Sequence, residues 1–576
     1  MCIPSKAGAL LVLYSVIVGA LYSVIITLGA ITAFKAVHNN FIGESYLISL
    51  AHILMGLTAV VLPFGGFVAD ICCGRFRTYM VGLFLTTTGV LCLYLSSVMF
   101  ITHSDNLLNV RLPLTTLQII FLVMFCVAAV LVTLGWSAYL ANYVQLVHDQ
   151  LMEAPSRYLT LSTHWVIWAN QAPFTIVVPF FLSSFCFKQK LLFVLVSSMF
   201  LGFLILFTVL LIFGSVKRHW FHIEPRQRNP YKMVFKVLDF ARKHKHPLQR
   251  SAFTYCDDER PSRLDFAKER YGGPFTTEQV EDVKTFLRMI AVFLAIGPVF
   301  VLEVPSSLYF LPLFGAHVAS MTSRFDHSLC NIHSIVVEGS SLGYIVSFFF
   351  FPLYLFAMFF VCKKIPRMFL RLGVGIALYF LGGLCMFAID ASGHMNKESS
   401  HCMFDIVLTN DSRYFSTLNM PWSSLFPPDI MFGIGPLLVM ITTFEFISAQ
   451  SPHSMKGLLV GFFLAIKGFF QFISSIALLP FSLKNLWFVS DSISPRTLRT
   501  DCVFGYLLFT SIVALIGLVL FSVVAKGYKY RERDDRPFDQ RFADNFYSRV
   551  IQERSRTISS QSLESESENI SNGCIA

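Results

Sequence analysis

The chain is dominated by apolar runs whose length leaves one architecture open to them. A helix rises about 1.5 Å per residue, so about 20 apolar residues cross a bilayer core of roughly 30 Å. Inside that core every backbone polar group must be paired within the chain, which a helix does by itself. Twelve such runs are read: 7–34, 46–69, 78–101, 114–142, 160–183, 191–214, 286–313, 341–362, 368–389, 429–450, 457–480 and 502–525. The fourth has a blurred end, and Pro298 and Pro305 interrupt the seventh. Only 14% of the residues are charged, against about 25% in a soluble domain, and 60 are Phe. The expected class is therefore an all-α membrane protein with twelve transmembrane helices.

The charged residues set the expected orientation. Six runs precede a long polar segment, 215–285, and six follow it. From Lys217 to Arg250 that segment carries ten Lys or Arg against Glu224 and Asp239. Basic loops mark the cytoplasmic side, and the short loops "CGRFR" (73–77), "CKKIPR" (362–367) and "HSMK" (453–456) fall on the same side as the segment. The net charge of +10 is explained by these loops rather than by nucleic acid. Four regions follow: a six-helix half at 1–214, a cytoplasmic linker at 215–285, a second six-helix half at 286–525 and a disordered cytoplasmic tail at 526–576. The tail is basic at first, then Ser- and Glu-rich.

The stretches 314–340 and 390–428 go to the opposite side. The second holds "NDS", a glycosylation acceptor at Asn410, while the sequon at Asn569 lies in the tail and is expected to go unused. Cys330 and Cys402 sit in these two loops, where an oxidising exterior permits pairing; two free thiols are the alternative. The other Cys form no metal spacing, and Cys574, third from the end, does not fit a prenylation motif. The apolar run from Ala7 is too long for a cleaved signal, so it is expected to remain as the first helix. Within the linker, Thr276 followed by Gln279 has capping-box spacing and starts a helix that runs into the seventh span.

Three ionisable residues stand out inside apolar runs of the second half: Glu303, Glu445 and Lys467. Each costs roughly 3 kcal/mol at a helix centre unless it is paired or faces a wet cavity. Lys467, midway along the eleventh run, is the expected partner of Glu445 on the tenth, either as a permanent structural pair or as one that can open. Glu303 lies between Pro298 and Pro305, where freed carbonyls can line a cavity. In the fifth run Trp168, Asn170 and Gln171 offer indole and amide groups, which serve either interhelical hydrogen bonds or a ligand. His164 titrates near neutrality when unperturbed, but a lone His is more often satisfied by a neighbour. No phosphate loop, metal cluster or nucleophile–base pair is read, so neither enzyme activity nor a cofactor is expected.

Two stretches carry a family resemblance. "FEFISAQSPHSMKG" (444–457) resembles the "EF-x-YSQAP-x-SM(K/R)" segment of the proton-dependent oligopeptide transporters, which include the peptide and histidine transporters of solute carrier family 15. Glu445, Phe446, Gln450, Pro452, Ser454, Met455 and Lys456 match it in order. "GGFVADICCGRFRTYMVG" (65–82) resembles the family's loop between helices two and three through Gly66, Asp70, Gly74, Arg75, Arg77 and Thr78. "HDQL" (148–151) and "WVIWANQAPF" (165–174) are weaker matches, the latter placing Asn170 at a family Asn.

The resemblance implies a major-facilitator-type fold of two six-helix halves. It implies a secondary transporter of small peptides or amino-acid-like solutes, working by alternating access. Glu445 and Asn170 would receive the substrate amine, with Trp168 beside them and Lys467 as a switchable partner. Asp70, Arg75 and Arg77 would latch the cytoplasmic side, and Glu303 would help gate the other. The partners implied are the substrate, protons and the lipid bilayer, in the plasma membrane or an endolysosomal membrane. The chain also departs from the family. Helix one, "LYSVIVGALYSVIITLGAITAF" (13–34), lacks the usual "ExxER", and Leu140 stands where a helix-four Lys is usual. A proton-independent facilitator therefore stays open, as does a transport-inactive sensor or scaffold acting through linker and tail.

Overall fold

The computed structural model describes residues 59–107, 116–150, 159–168, 230–244, 246, 261–308, 343, 346–358, 366–395, 404–408, 413–414, 426–452, 455–482, 497–500 and 504–530. The first, sixth and most of the fifth expected spans, together with Asn170, Gln171, Cys330, Cys402, Asn410 and Asn569, lie outside these residues.

Before the linker, α1 (Ala59–Cys73) ends in a π-helical turn, Val68–Cys73, and α2 (Arg75–Leu107) follows at once. The one residue between them is Gly74, at φ 80° and ψ 153°, a backbone region that residues with a Cβ avoid. This is why the 73–77 loop can be so short. Next, α3 (Thr116–Leu140) lies along α2. It breaks at Asn142, whose side chain donates back to the carbonyls of Ala138 and Gly65, and continues as the fully buried α4 (Tyr143–Asp149). A further helix, α5, covers 159–168.

The linker has a folded part. Its amphipathic α6 (Pro230–Lys243) buries Tyr231, Val234, Val237 and Ala241. Between residues 261 and 276 the chain wraps around Asp265, which accepts from Ser262, Lys268 and Lys284. Burial pushes the Asp265 carboxyl up, but the hydrogen bonds from Lys268, Lys284 and Ser262 outweigh it and hold it well below the ordinary range. A depressed carboxylate stabilises the fold at neutral pH and loses that contribution only as pH falls below its unfolded value.

The expected capping box is present: Thr276 Oγ1 accepts from Gln279 N, Gln279 Oε1 accepts from Thr276 N, and α7 (Thr277–Ile296) starts there. It continues through a 3₁₀ stretch, Gly297–Leu302, into α8 (Glu303–Leu308). Pro298 lacks the N–H that an α-helical turn needs, and the tighter helix accommodates it. Next among the described residues come α9 (Val346–Phe356), α10 (Met368–Met395), α11 (Phe426–Gln450) and α12 (Lys456–Ser482). The last is α13 (Phe504–Gly527).

Among the described residues, six helices are long and apolar enough to cross a membrane, and they expose apolar side chains: Leu370 is 61% and Val523 65% exposed. Such exposure is what a lipid-facing surface requires. The all-helical expectation needs one addition. Strands β1 (Phe404–Leu408), β2 (Arg413–Tyr414) and β3 (Thr497–Thr500) form an antiparallel sheet in the order β2-β1-β3. The β-branched Ile406 and Val407 of "FDIVL" favour the extended backbone of β1. The pairing with β3 is a long-range contact that no sequence window contains.

Helices α1 and α12 approach to backbone contact. A Cβ on Gly66 would strike the Gly457 carbonyl, and one on Gly461 would sit 2.5 Å from Pro63 Cα and 2.9 Å from the Leu62 carbonyl oxygen. Overpacking of this kind costs about 1–3 kcal/mol or more. Gly461→Val should therefore lower the melting temperature of the purified protein. Gly527→Ala should not, because a Cβ at Gly527 meets nothing within 4 Å.

Candidate functional site

Three polar clusters lie along the bundle, and two of them join helices from before and after the linker. The first is built on Asp70, in the π-helical turn of α1. Its Oδ2 accepts from the backbone N of Leu458 at 3.0 Å and from the Tyr231 hydroxyl at 2.9 Å. Leu458 is the third residue of α12, so the carboxylate caps that helix N-terminus, where orphan N–H groups and the helix dipole favour negative charge. Arg75 comes within 3.9 Å of Asp70 and donates from Nη1 to both oxygens of Asp149, at 2.7 and 2.8 Å. One carboxylate thus ties α1 to α12 and to the linker helix α6. Arg75 adds α2 and α4. Nearby, Gln145 on α4 donates to Ser448 on α11 at 3.2 Å. The structure brings Asp70 and Arg75 together as the loop motif implied. It leaves Arg77 exposed, without an ion-pair partner among the described residues.

The second cluster centres on Glu445, and here the expected partner is corrected. Glu445 Oε1 accepts from Arg371 Nη2 at 2.8 Å, and Lys467 instead contacts Glu303 at 2.7 Å. Position explains the exchange. Glu445 is five residues from the end of α11 and Arg371 three from the start of α10, about 5–8 Å of helical rise. Lys467 is eleven residues into α12, about 17 Å. The two charges therefore sit at different depths, although their helices are neighbours in sequence. His164 on α5 completes the cluster. Its Nδ1 donates to the Thr160 carbonyl at 2.7 Å, and its Nε2 faces Arg371 Nη1 at 3.4 Å and Glu445 Oε2 at 3.8 Å. Trp168, one turn further along α5, donates to the Phe348 carbonyl at 3.3 Å and packs against the rings of Phe348 and Phe351.

The third cluster is Lys467 with Glu303. Their side chains are about one-fifth exposed, 21% and 19%, more than those of Arg371, Glu445 and His164 in the second cluster. Lys467 Nζ also stands 5.4 Å from the centre of the Phe300 ring. A turn and more further along α12, the Ser474 hydroxyl bonds the Val301 carbonyl and the Tyr506 hydroxyl, pinning the 3₁₀ stretch. Among the described residues no group of three His, Cys, Asp or Glu is placed to hold a metal.

Arg371, Asp149 and Tyr231 were not legible in the sequence as members of these clusters. Arg371 lies inside the run 368–389 but beside the basic loop "CKKIPR", so its charge is easily counted with that loop. Asp149 belongs to the quoted stretch "HDQL", where nothing local names Arg75 as its partner. Tyr231 carries no sequence signal at all.

The observed pairing predicts how mutations couple. Removing one partner of a buried ion pair costs about 3–5 kcal/mol because the other charge is stranded. Glu445→Gln with Arg371→Met, and Lys467→Met with Glu303→Gln, should each lose less stability together than the sum of the singles. Glu445→Gln with Lys467→Met should be additive to within about 0.5 kcal/mol. Thermal unfolding of the purified singles and doubles measures this.

No family model matches the chain. Solved structures do. The described "auto inhibited POT family peptide transporter" is 14% identical over 92% of this chain and 98% of its own, at a TM-score of 0.56. The POT family transporter PepTSo is 14% identical, covers 90% and 98%, and gives 0.53. A POT family transporter in complex with 5-aminolevulinic acid is 12% identical, covers 91% and 97%, and gives 0.56. The resemblance drawn from two short motifs thus extends along nearly the whole chain: this protein has the fold of the POT family peptide transporters.

Proposed function

We propose that the chain is a multi-pass secondary transporter of small peptides or amino-acid-like solutes, built from two six-helix halves that rock around a central site. The observation that carries this reading is the Asp70 cluster. At one end of the bundle, helices before the linker are held to helices after it by hydrogen bonds, ion pairs and a glycine crossing. Most of these contacts are hydrogen bonds and ion pairs, which water can replace, so they can part without unfolding either side. The basic loops make this end cytoplasmic, and the contacts close it. Opening it again is the inward half of an alternating-access cycle.

Deeper in the bundle, the Lys467–Glu303 pair offers a cation and an anion to a zwitterionic solute. Lys467 would take the substrate carboxylate and Glu303 its amine, with the pair re-forming after release. Trp168 and Asn170 remain proposed wall contacts, Asn170 on the resemblance alone. Glu445, near the closed end and engaged with Arg371, is proposed to act on the gate. The cytoplasmic placement of both termini and the linker, glycosylation at Asn410 and residence in the plasma or an endolysosomal membrane belong to the same proposal.

Uptake of labelled di- and tripeptides and of histidine into proteoliposomes, with and without a pH gradient, tests it. Saturable uptake should exceed that of empty liposomes and fall at least about tenfold in Lys467→Met, the loss expected when one charge partner of a bound solute goes. No uptake of any of these solutes would overturn the transport reading and favour a scaffold role.

A further inference from the structure

The second cluster contains a buried acceptor and a basic nitrogen placed to share a proton that neither holds. Glu445 Oε2 is buried and has no hydrogen-bond partner among the described residues, whereas Oε1 is taken by Arg371. Leaving a buried carboxylate oxygen unpaired is costly. The group facing it is His164 Nε2, 3.8 Å away and 1% exposed. A backbone carbonyl can only accept, so the 2.7 Å contact with the Thr160 carbonyl places the imidazole proton on Nδ1. Nε2 then presents its lone pair to Arg371 Nη1 at 3.4 Å. In this state His164 is an acceptor for Arg371 and gives nothing to Glu445.

We propose that His164, Arg371 and Glu445 form a proton-binding site joining α5, before the linker, to α10 and α11, after it. A proton taken up on Nε2 turns that nitrogen from acceptor to donor. The new N–H points at the unpaired Oε2, and Arg371 Nη1 loses its acceptor and is repelled by the imidazolium. Arg371 keeps its bond from Nη2 to Oε1 and has the Tyr354 hydroxyl, 3.5 Å from Nη1, as an alternative contact. The net charge of the three groups goes from zero to +1, and the contact between the two sets of helices changes from an arginine-held to a histidine-held one. In a chain whose first apolar run, 7–34, carries no charge, this site supplies the proton dependence that the missing residues would otherwise give. That role rests on the transport reading, whereas the proton site itself does not.

The groups that bear on His164 are few among the described residues. Glu445 faces it from α11, Arg371 from α10 and Tyr354 from α9, whose ring, with that of Phe351, stacks alongside the imidazole. From α4, His148 bonds the hydroxyl of the adjacent Thr163 and is the competing titratable group. Trp165 and Trp168 lie on the same helix as His164, their rings 5.4 Å apart, and report a charge appearing beside them.

The test is a pH titration of tryptophan emission from the full chain in lipid nanodiscs. The wild type should show a transition between about pH 5 and 8, the range in which an imidazole changes charge. His164→Gln should abolish it, and His148→Gln should leave it. Arg371→Gln removes the repelling cation and should raise the midpoint, whereas Glu445→Gln removes the attracting anion and should lower it. Each shift should be about one pH unit or more, a tenfold change in proton affinity. A purely structural His gives no such opposed shifts, which also decide the matter if His164→Gln fails to fold. No wild-type transition, a transition that survives His164→Gln or follows His148, or midpoints that do not move in opposite directions would overturn the proposal. Titration without uptake of labelled peptides at any pH would remove the transport reading and leave the proton site. Uptake without titration would do the reverse.

Discussion

The structure depends on how one carboxylate, Asp70, is satisfied. It sits at the end of an apolar helix, where a charge is tolerated only with partners. Its partners come from three directions: the N-terminus of α12, the hydroxyl of Tyr231 on the linker helix, and Arg75 after the glycine turn. Arg75 and Tyr231 reach it from its own side, but the Leu458 N–H does so only where α1 and α12 meet at backbone distance, and that approach requires Gly66, Gly457 and Gly461. The bond to Leu458 is made only while α1 and α12 are together, so it helps to hold them in contact, and water can replace it if they part.

The linker takes part in this arrangement. Tyr231 stacks on Phe67 of α1 as well as bonding Asp70, so α6 is joined to this end of α1 through both an apolar and a polar contact. The base of α7 is fixed to the linker by Asp265, Lys268 and Lys284. A displacement of α7 at this end would therefore be felt by α6, and through Tyr231 by Asp70.

Several features of this account could be read from the sequence, and the reasons differ from feature to feature. The capping box at Thr276 and Gln279 is local, and its spacing alone specifies it. The spans 368–389, 429–450, 457–480 and 502–525 fall close to observed helices because their length and apolarity are themselves the physical signal. That Asp70 and Arg75 meet was legible because one short loop holds both. Ion pairing between distant helices was not. Glu445 and Lys467 are opposite charges on consecutive helices, but a pair forms only at equal depth, and depth depends on where each helix starts relative to the others. Arg371, three residues into its helix, matches the depth of Glu445. Glu303 reaches that of Lys467 because α7 begins in the linker and enters the bundle late. The β1–β3 pairing was hidden for a related reason, since its strands lie far apart in sequence.

The contacts around Asp70 are proposed to form a releasable latch between two sets of helices. Spin labels attached to cysteines replacing the exposed Arg77 and Arg367, in an otherwise cysteine-free chain, report the separation across that end by electron–electron dipolar spectroscopy. The account predicts a single short distance in the resting protein. It predicts a second, longer population when Asp70→Asn and Arg75→Gln are introduced together. An unchanged distance distribution in that double variant would contradict it.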